Sequence, residues 1–254
     1  MTVVGLLHPG EMGAAVGAAL LGHGETVLWA SDGRSLATME RAQRFGLEDA
    51  GDVGELCRRS EILLSVCPPH AAVDVARATR ELEGIYVDAN AISPDTTRTI
   101  AGLQPRFVDG GIVGPPPLEA GSTRLYLSGG EAEAVAELFA GTNVDARVIA
   151  GEPGAASALK MAFAGWTKGS AALLLAIRAL ARAEGVEEAL LAEWELSLPE
   201  LEEQSLAAER TAAKKGWRWI GEMEEIAHSM AAQDLPSGFH EAAAEIFRRL
   251  SAGS

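Results

Sequence analysis

A glycine-containing turn near the start of the chain has the residue types needed to hold phosphate groups. The sequence GLLHPGEMG (residues 5–13) follows an apolar run typical of a β-strand and leads into small residues typical of a helix. Backbone N–H groups at a helix start can donate hydrogen bonds to phosphate oxygens. Gly10 and Gly13 suit close approach to a pyrophosphate and close helix packing, but His8 stands where the G-x-G-x-x-G pattern has its first glycine. We expect a variant dinucleotide-binding turn rather than an ordinary strand-to-helix connection. Its cofactor-binding residues are predicted to be His8, Pro9, Gly10, Glu11 and Met12.

The end of the second predicted strand indicates which dinucleotide this turn would take. A carboxylate at this place usually binds both ribose hydroxyls of NAD, whereas hydroxyl groups and an arginine suit the 2′-phosphate of NADP. The strand ends in Ser31, and Arg34 follows closely, so we expect NADP, with NAD as the alternative. Two other interpretations stay open. Asp32 would serve as the NAD-type carboxylate, or Arg34 would be a solvated loop residue.

The elements that position these residues follow an alternating pattern over the first part of the chain. Short β-rich runs, separated by helical segments, are TVVGLL, ETVLWA, EILLSVC, GIYVDAN, RFVDGGIVG, TRLYLSG and DARVIA. Several are almost continuously apolar, which is typical of parallel strands covered on both faces. The pattern predicts an α/β fold, a doubly wound Rossmann-type and mostly parallel sheet, in a dinucleotide-binding domain over residues 1–150.

Beyond residue 150 the strand signals stop and the sequence is helical. A long helix is predicted over residues 153–184, and prolines at positions 199 and 236 would break the helices that follow. Gly165 and Gly169 indicate a kink or close packing within the long helix. We therefore expect an all-helical C-terminal domain over residues 151–254, for substrate binding and dimerisation.

Composition argues against several classes of function. A formal net charge of −15 over 254 residues disfavours binding to nucleic acid or to an anionic membrane surface. The two cysteines, Cys57 and Cys67, have no metal-ligand spacing, and we expect no metal. The first apolar stretch lacks the basic flank of a signal peptide, and no stretch is long enough to cross a membrane. We expect a cytoplasmic protein that binds a small molecule.

Five motifs, in order, resemble the β-hydroxyacid dehydrogenase superfamily of 3-hydroxyisobutyrate and 6-phosphogluconate dehydrogenases. GLLHPGEMG is similar to the family's opening GxIGLGxMG, and SVCPP (65–69) to the end of its fourth strand. VDANAISP (87–94) resembles D-x-S-T-x-x-P, and DGGIVGPPP (109–117), followed by TRLYLSGG, resembles D-A-P-V-S-G-G and the next strand. GAASALK (154–160) resembles G-x-G-x-x-x-K. The sequences of these motifs are most similar to those of a branch named phosphogluconate dehydrogenase-like, which has a distinctive C-terminal domain.

The resemblance implies a nicotinamide coenzyme and roles for individual residues. Lys160 falls on the family's general acid/base lysine, and Asn90 on the serine of its D-x-S-T motif. The segment after the fourth strand passes under the nicotinamide ribose in the family. Its counterparts here, which we expect to contact the cofactor, are Val66, Cys67, Pro68 and Asn90. Without the resemblance, Lys160 would more readily be interpreted as a lysine extending from a buried helix to solvent.

Two regions depart from the family's pattern. Ala164 replaces the asparagine that usually follows the lysine by four residues, and Val113-Gly114-Pro115 replaces a carboxylate-binding Ser-Gly-Gly. Thr167 and Lys168 share a helix face with Lys160 by three-and-four spacing, so either is a candidate for the missing donor, unless Lys168 is simply solvated. The predicted substrate-binding residues are Asn90, Val113, Gly114, Lys160, Ala164, Thr167 and Lys168.

These observations together predict an NAD(P)-dependent dehydrogenase or reductase. The expected reaction is hydride transfer to or from a hydroxy-acid-like or related alcohol or carbonyl substrate, with Lys160, Asn90 and Thr167 as catalytic residues. A homodimer formed through the helical domain is expected from the family. The alternatives are an imine or enamine reductase and a non-catalytic NADP-binding protein.

Overall fold

A computed structural model describes residues 1–252, which divide into two compact units. The first unit is Met1–Lys160 and the second begins at Met161. The predicted domain boundary is near residue 150, where the strand signals end. In the structure the first turns of the following helix group with the sheet, because that helix begins against a strand.

The first unit contains an eight-stranded sheet. Its strands are β1 (Val3–Leu7), β2 (Thr26–Trp29), β3 (Glu48–Asp49), β4 (Ile62–Ser65), β5 (Ile85–Asp88), β6 (Phe107–Val113), β7 (Thr123–Ser128) and β8 (Val144–Val148). The order across the sheet is β3-β2-β1-β4-β5-β6-β7-β8. Every neighbouring pair is parallel except β6 and β7, which are antiparallel. The predicted doubly wound, mostly parallel sheet is confirmed, and the chain reverses its winding direction between β1 and β4, where such sheets bind ligands.

Helices cover both faces of this sheet. They are α1 (Glu11–Gly22), α2 (Leu36–Arg44), α3 (Val53–Arg59), α4 (Ala72–Ala78), α5 (Pro94–Ala101) and α6 (Ala132–Leu138), with a short 3₁₀ turn at Pro69–Ala71. One apolar core joins the sheet to α1 and α6, and the other joins it to α3, α4 and α5. Burial on both faces explains why the central strands are almost continuously apolar.

Side-chain caps fix where three of these helices begin. The Ser35 hydroxyl accepts a hydrogen bond from the backbone N–H of Thr38 at the start of α2. Asp52 caps α3, and Ser93 caps α5 with Pro94 as its first residue. Such caps satisfy N–H groups that have no partner inside the helix.

The second unit is all-helical, which confirms the predicted fold class. Its helices are α7 (Ala155–Ala183), whose first residues belong to the first unit, α8 (Glu187–Ser197), α9 (Leu201–Ala231) and α10 (Gly238–Ala252). Prolines 199 and 236 lie in the connections, as expected. No helix in residues 1–252 has the length and apolar character required to cross a bilayer.

Gly165 and Gly169 mark close packing between α7 and α10. A Cβ at Gly165 would lie 3.3 Å from Nε2 of the buried His240, and one at Gly169 would lie 3.0 Å from Cε1 of Phe239. The two glycines therefore let the aromatic side chains of α10 approach the α7 backbone.

Candidate functional site

The turn after β1 keeps the backbone shape of a dinucleotide-binding turn although its first glycine is missing. His8 has φ = 69°, in the left-handed region that glycine adopts most easily. The N–H of Gly10 donates to the carbonyl of His8 at 2.7 Å, and α1 begins directly afterwards. A Cβ at Gly13 would lie 2.8 Å from that same carbonyl, so only glycine fits there. The histidine is thus held in the conformation that a glycine would take.

The space in front of this helix N-terminus is open. A Cβ built on Gly10 meets no atom within 4 Å, and its φ of −68° and ψ of −172° suit any residue. The glycine at position 10 is therefore not required by the packing of the protein itself. An anion placed there would meet backbone N–H groups and the positive end of α1.

Two arginines lie beside the turn. Nη1 of Arg41 donates to the carbonyl of Pro9 at 3.3 Å. Burial and then the nearby Arg34 guanidinium lower the pKa of His8 to about 4, so its imidazole is neutral at pH 7. Within residues 1–252, the buried atoms His8 Nδ1 and Arg34 Nε have no hydrogen-bond partner. The structure therefore brings Arg34, from the end of β2, to the turn after β1.

Ser31 and Asp32 also lie at the end of β2, with different exposure. Ser31 is half-buried, whereas Asp32 is exposed and donates its backbone N–H to the carbonyl of Gly51. The carboxylate that would mark an NAD site thus faces solvent, while Arg34 is directed toward the turn. Their contacts with a nucleotide stay predictions.

Asn90 connects the carboxyl ends of β4 and β5. Its Oδ1 accepts from the backbone N–H of Cys67 at 2.6 Å, and its Nδ2 donates to Ser65 Oγ at 3.0 Å and to Asp88 Oδ2 at 2.9 Å. Asn90 is buried, and both amide hydrogens are used within the protein. In this structure it positions the segment Val66–Pro68, and its predicted contact with cofactor or substrate stays a prediction.

Burial shifts the acidities of the groups around Asn90. It raises the pKa of Asp88 to about 7, against the opposing effect of hydrogen bonds from Asn90. It also raises the pKa of the Cys67 thiol to about 12, with a further contribution from Asp88, and that of the Cys57 thiol to about 11. Both thiols are therefore protonated at neutral pH, and neither has the character of a nucleophile.

Asp109, which sequence analysis did not single out, holds the start of α7. Its Oδ2 accepts from the backbone N–H groups of Gly154 (2.8 Å) and Ser157 (3.0 Å) and from Ser128 Oγ (3.0 Å), and Oδ1 accepts from Ser157 Oγ at 2.6 Å. Ser157 Oγ also lies 2.7 Å from Thr97 Oγ1. A carboxylate inside the apolar strand FVDGGIV was the available signal, because a fully buried charge requires several donors.

The same strand brings Lys160 to the carboxyl edge of the sheet. Asp109 pairs with Asp88, the last residue of β5, so β6 continues past that edge and there pairs only with β7. A Cβ at Gly111 would lie 2.8 Å from the carbonyl of Ala156 and 3.1 Å from Cβ of Lys160. The half-buried lysine therefore lies against the extension of β6, on the edge that also carries the turn after β1.

The end of β6 leads into an exposed loop. Val113 is buried, and Gly114 has φ = 121°, where a Cβ would collide with the carbonyl of Ser122. The carbonyl of Pro115 accepts from Thr123 Oγ1 at 2.5 Å. Gly114 is thus required by the backbone, and the predicted role of Val113 and Gly114 in substrate binding stays a prediction.

Ala164, Thr167 and Lys168 belong to the second unit, where two of them have polar partners. Thr167 Oγ1 donates to the carbonyl of Phe163 at 3.1 Å. Lys168 forms an ion pair with Glu222, with side chains only 16% and 15% exposed, and its Nζ lies 5.8 Å from the centre of the Trp219 ring. Ala164 is buried. Lys168 is therefore not a solvated lysine, and the predicted roles of these three residues at a substrate site stay predictions.

Sequence comparisons match both parts of the chain. Residues 181–250 match a family described as a domain of unknown function, DUF1932. An uncharacterized 28.5 kDa protein from the 7S RNA 5′ region of Methanothermus fervidus is 33% identical over 162 residues. That match covers 63% of this chain, and the chain spans 63% of the length of that relative.

Solved structures match this chain over nearly all of its length. The conserved protein MTH1747, of unknown function and structurally similar to 3-hydroxyacid dehydrogenases, is 29% identical with a TM-score of 0.74, over 98% of this chain and 97% of that one. A 3-hydroxyisobutyrate dehydrogenase from Salmonella typhimurium (16% identical, TM-score 0.72) matches over 100% of this chain and 95% of its own. A reductive aminase from Aspergillus terreus, in complex with NADPH and ethyl levulinate, covers the same shares at 20% identity and a TM-score of 0.60. The last two likenesses show a shared fold.

The resemblance inferred from the sequence motifs is thus confirmed. The sheet order, the helical second unit and the similarity to MTH1747 agree with the predicted superfamily, and the C-terminal match agrees with a branch that has its own C-terminal domain. The chain is similar to MTH1747 and shares the fold of 3-hydroxyacid dehydrogenase-like proteins, and its residues 181–250 match DUF1932.

Proposed function

We propose that this protein is an NADP-dependent oxidoreductase acting on a hydroxy-acid-like or related alcohol or carbonyl compound. The observation that carries the proposal is the turn after β1, where His8 takes a left-handed conformation and Gly10 leaves the start of α1 open. The packing of the protein does not require a glycine at position 10, whereas a pyrophosphate approaching the N–H groups at the start of α1 would benefit from one. The fold shared with an NADPH-bound reductive aminase supports the same conclusion.

The residues present fit a nicotinamide dinucleotide. Backbone N–H groups around Gly10 would hold the pyrophosphate, and Arg34, whose buried Nε has no partner within residues 1–252, would bind the 2′-phosphate together with Ser31. The segment Val66–Pro68, fixed by Asn90, would lie along the nicotinamide ribose. A neutral His8 adds no charge to this site.

The chemistry requires one proton carrier from the protein. NADPH, when bound, supplies a hydride to a carbonyl carbon. Lys160 would donate the proton to the carbonyl oxygen in reduction and accept it from the hydroxyl group in oxidation. Asp109 and Gly111 fix the backbone from which Lys160 extends, and this supports a role for its side chain at the carboxyl edge of the sheet.

The coenzyme site is tested with the substitution Gly10→Ala. The new methyl group meets no protein atom, so the variant should fold as well as the wild type, yet it should bind NADPH about tenfold or more weakly because it occupies the path of the pyrophosphate. Fluorescence titration with NADPH measures the affinity. Gly130→Ala is the matched control, since its Cβ is also unobstructed. Equal NADPH binding by Gly10→Ala and the wild type would contradict the site.

The preference for NADP is tested with Arg34→Gln. Loss of a charge-assisted contact with the 2′-phosphate should weaken NADPH binding and leave NADH binding unchanged. Arg41→Gln is a control for general positive charge, because Arg41 already donates to a backbone carbonyl. If the wild type binds NADH as tightly as NADPH, and Arg34→Gln alters neither affinity, the assignment of NADP is wrong.

A second candidate function is reduction of an imine, favoured by the fold shared with the reductive aminase. Ala164, which lacks the amide that the family uses to bind a hydroxyl group, also agrees with it. Oxidation of β-hydroxy acids and reduction of cyclic imines, both followed by the absorbance of NADPH, separate the two reactions. Lys160→Ala should abolish the oxidation of hydroxy acids. If Lys160→Ala binds NADPH and has the same activities as the wild type, the protein is instead a non-catalytic binding protein.

A further inference from the structure

The antiparallel pair β6–β7 places two further polar side chains on the face that receives Lys160. Residues directly opposite in such a pair point to the same face. Gly111 is opposite Tyr126, and Val113 is opposite Arg124. The same face of β6 contacts the first turns of α7, because a Cβ at Gly111 would lie 3.1 Å from Cβ of Lys160. Tyr126 and Arg124 therefore lie beside Gly111 and Val113, on the sheet face against which α7 packs near Lys160.

Spacing along β7 fixes the dimensions of this surface. Tyr126 is opposite Gly111, which contacts Lys160, and directly opposite residues have Cβ atoms about 5 Å apart. Arg124 follows two residues away on the same face, about 7 Å farther along the strand. That separation is within the length of an acid with a few carbon atoms, with its reacting carbon near Lys160 and its anionic group near Arg124.

The charge of Arg124 is not compensated by its neighbours. Its half-buried side chain makes no hydrogen bond or ion pair within residues 1–252. The nearest carboxylate across β8 is that of Asp145, which pairs with Arg124 in register. Asp145 is already bound through Oδ2 by Nε (2.9 Å) and Nη2 (2.6 Å) of Arg147. On the other side, Val113 offers no polar atom.

We propose that Arg124 binds the anionic group, a carboxylate or a phosphate, of the substrate on which Lys160 acts. A guanidinium group matches either anion with two parallel hydrogen bonds. The neighbouring Tyr126 interacts with Arg147 of β8 through its side chain, so Arg124 is the residue of this pair that is available to an anion. This inference rests on the proposed function and adds the residue that would hold the anionic group of the substrate, in a chain whose overall charge of −15 would otherwise repel it.

The test titrates three probes into the protein with and without NADP: malonate, inorganic phosphate and the neutral malonamide. Calorimetry measures each affinity for the wild type, Arg124→Gln, Arg124→Lys and the control Arg106→Gln. Arg106 is an exposed arginine bound to Glu131, so its removal changes net charge equally. We expect Arg124→Gln to weaken binding of the anion about tenfold or more, Arg124→Lys to weaken it less, and Arg106→Gln to leave it unchanged.

Each outcome has one meaning. Binding of malonate alone assigns the site to carboxylates, and binding of phosphate alone assigns it to phosphate esters. Anion affinity that is equal in the wild type and Arg124→Gln overturns the proposal, as does the absence of binding by either anion to the wild type. Failure of NADP to bind the wild type contradicts the proposed function instead, and the titrations without coenzyme still decide the role of Arg124.

Discussion

Position 8 holds a histidine in a backbone conformation that costs side-chain-bearing residues about 1–3 kcal/mol. The sequence showed that a glycine was missing from the expected pattern, and it did not show whether the turn kept its shape. The structure shows that the shape is kept, with Gly13 packed against the carbonyl of His8. The strain is therefore carried by the turn that we propose binds the coenzyme, a common place for such strain in proteins.

The strain at His8 is measurable by comparing His8→Gly with His8→Ala. Both variants lose the imidazole, but only glycine relieves the left-handed conformation, so His8→Gly should be more stable than His8→Ala by about 1 kcal/mol. Urea denaturation gives the free energies of unfolding. Equal stability of the two variants would show that the left-handed conformation carries no cost.

Because the pKa of His8 is lowered, the difference in stability between the wild type and His8→Gly depends on pH. In the folded protein the pKa is about 4, against 6.5 for an unperturbed histidine, so between these values the unfolded chain binds a proton that the folded chain does not. The wild type should therefore lose stability relative to His8→Gly as the pH falls from 6.5 to 4, with a constant difference above 6.5. Denaturation curves at several pH values measure this difference. Titration of Asp88 occurs in both proteins and cancels in the comparison.

Other residues at the site show where sequence reasoning ends. Asn90 and Lys160 were found from motif spacing, and the structure places both at the carboxyl edge of the sheet. The partners of Asn90 and of Lys168 were not predictable, because Ser65 and Glu222 are distant in sequence. Arg124 was missed for the same reason. Its position opposite Val113 depends on the register between β6 and β7, which spacing alone does not give.

At the scale of elements, one carboxylate couples a strand to a helix. Asp109 of β6 accepts the free N–H groups at the start of α7, a task that a residue within the helix's own approach segment usually performs. A fully buried carboxylate is tolerated there because four donors and the positive end of α7 stabilise its charge. The start of α7 is thereby fixed before Lys160, one turn further on.

Asp109→Asn should destabilise the protein by about 3 kcal/mol, because an amide cannot accept hydrogen bonds on both sides and its NH₂ group would face the N–H groups of α7. Asp52→Asn is the matched control, since Asp52 caps α3 at an exposed position where asparagine caps equally well. It should change stability by less than about 0.5 kcal/mol. Urea denaturation measures both, and equal effects of the two substitutions would contradict the assigned role of Asp109.

Most elements were predictable because their hydrophobic periodicity is strong. All seven predicted strands are present, and the long helix predicted over 153–184 is observed at Ala155–Ala183. Strand β3 was not predicted, because its two residues, Glu48 and Asp49, are exposed and charged and only pairing with β2 makes them a strand. The units divide inside α7, after Lys160, and contacts between this helix and β6 leave no periodic signal in the sequence.

At the scale of the whole molecule, α7 carries an exposed apolar face. Its members, spaced by three, four or seven residues along the helix, are Phe163, Trp166, Leu173, Ile177 and Leu180. Contiguous exposed apolar surface is typical of protein interfaces. We propose that this face forms the homodimer expected from the family, because a second copy of the chain offers a face of the same shape and chemistry.

Leu180→Glu tests the proposed dimer. A charge within an apolar interface leaves a buried carboxylate without a partner, so the variant should be monomeric while the wild type is dimeric. Light scattering after size-exclusion chromatography gives the masses. Leu196→Glu is the control, since Leu196 of α8 is even more exposed (81% against 59%) and does not belong to the α7 face. A monomeric wild type, or a dimeric Leu180→Glu, would contradict the proposal.

The two protonated thiols have a practical consequence for work with this protein. Air oxidation and alkylating reagents act on the thiolate, which Cys57 and Cys67 scarcely form at neutral pH because burial raises their pKa values to about 11 and about 12. The protein should keep its native cysteines through purification without added reductant. A single cysteine introduced on the surface would then take a fluorescent label selectively, which makes distance measurements by energy transfer feasible without first removing the natural thiols.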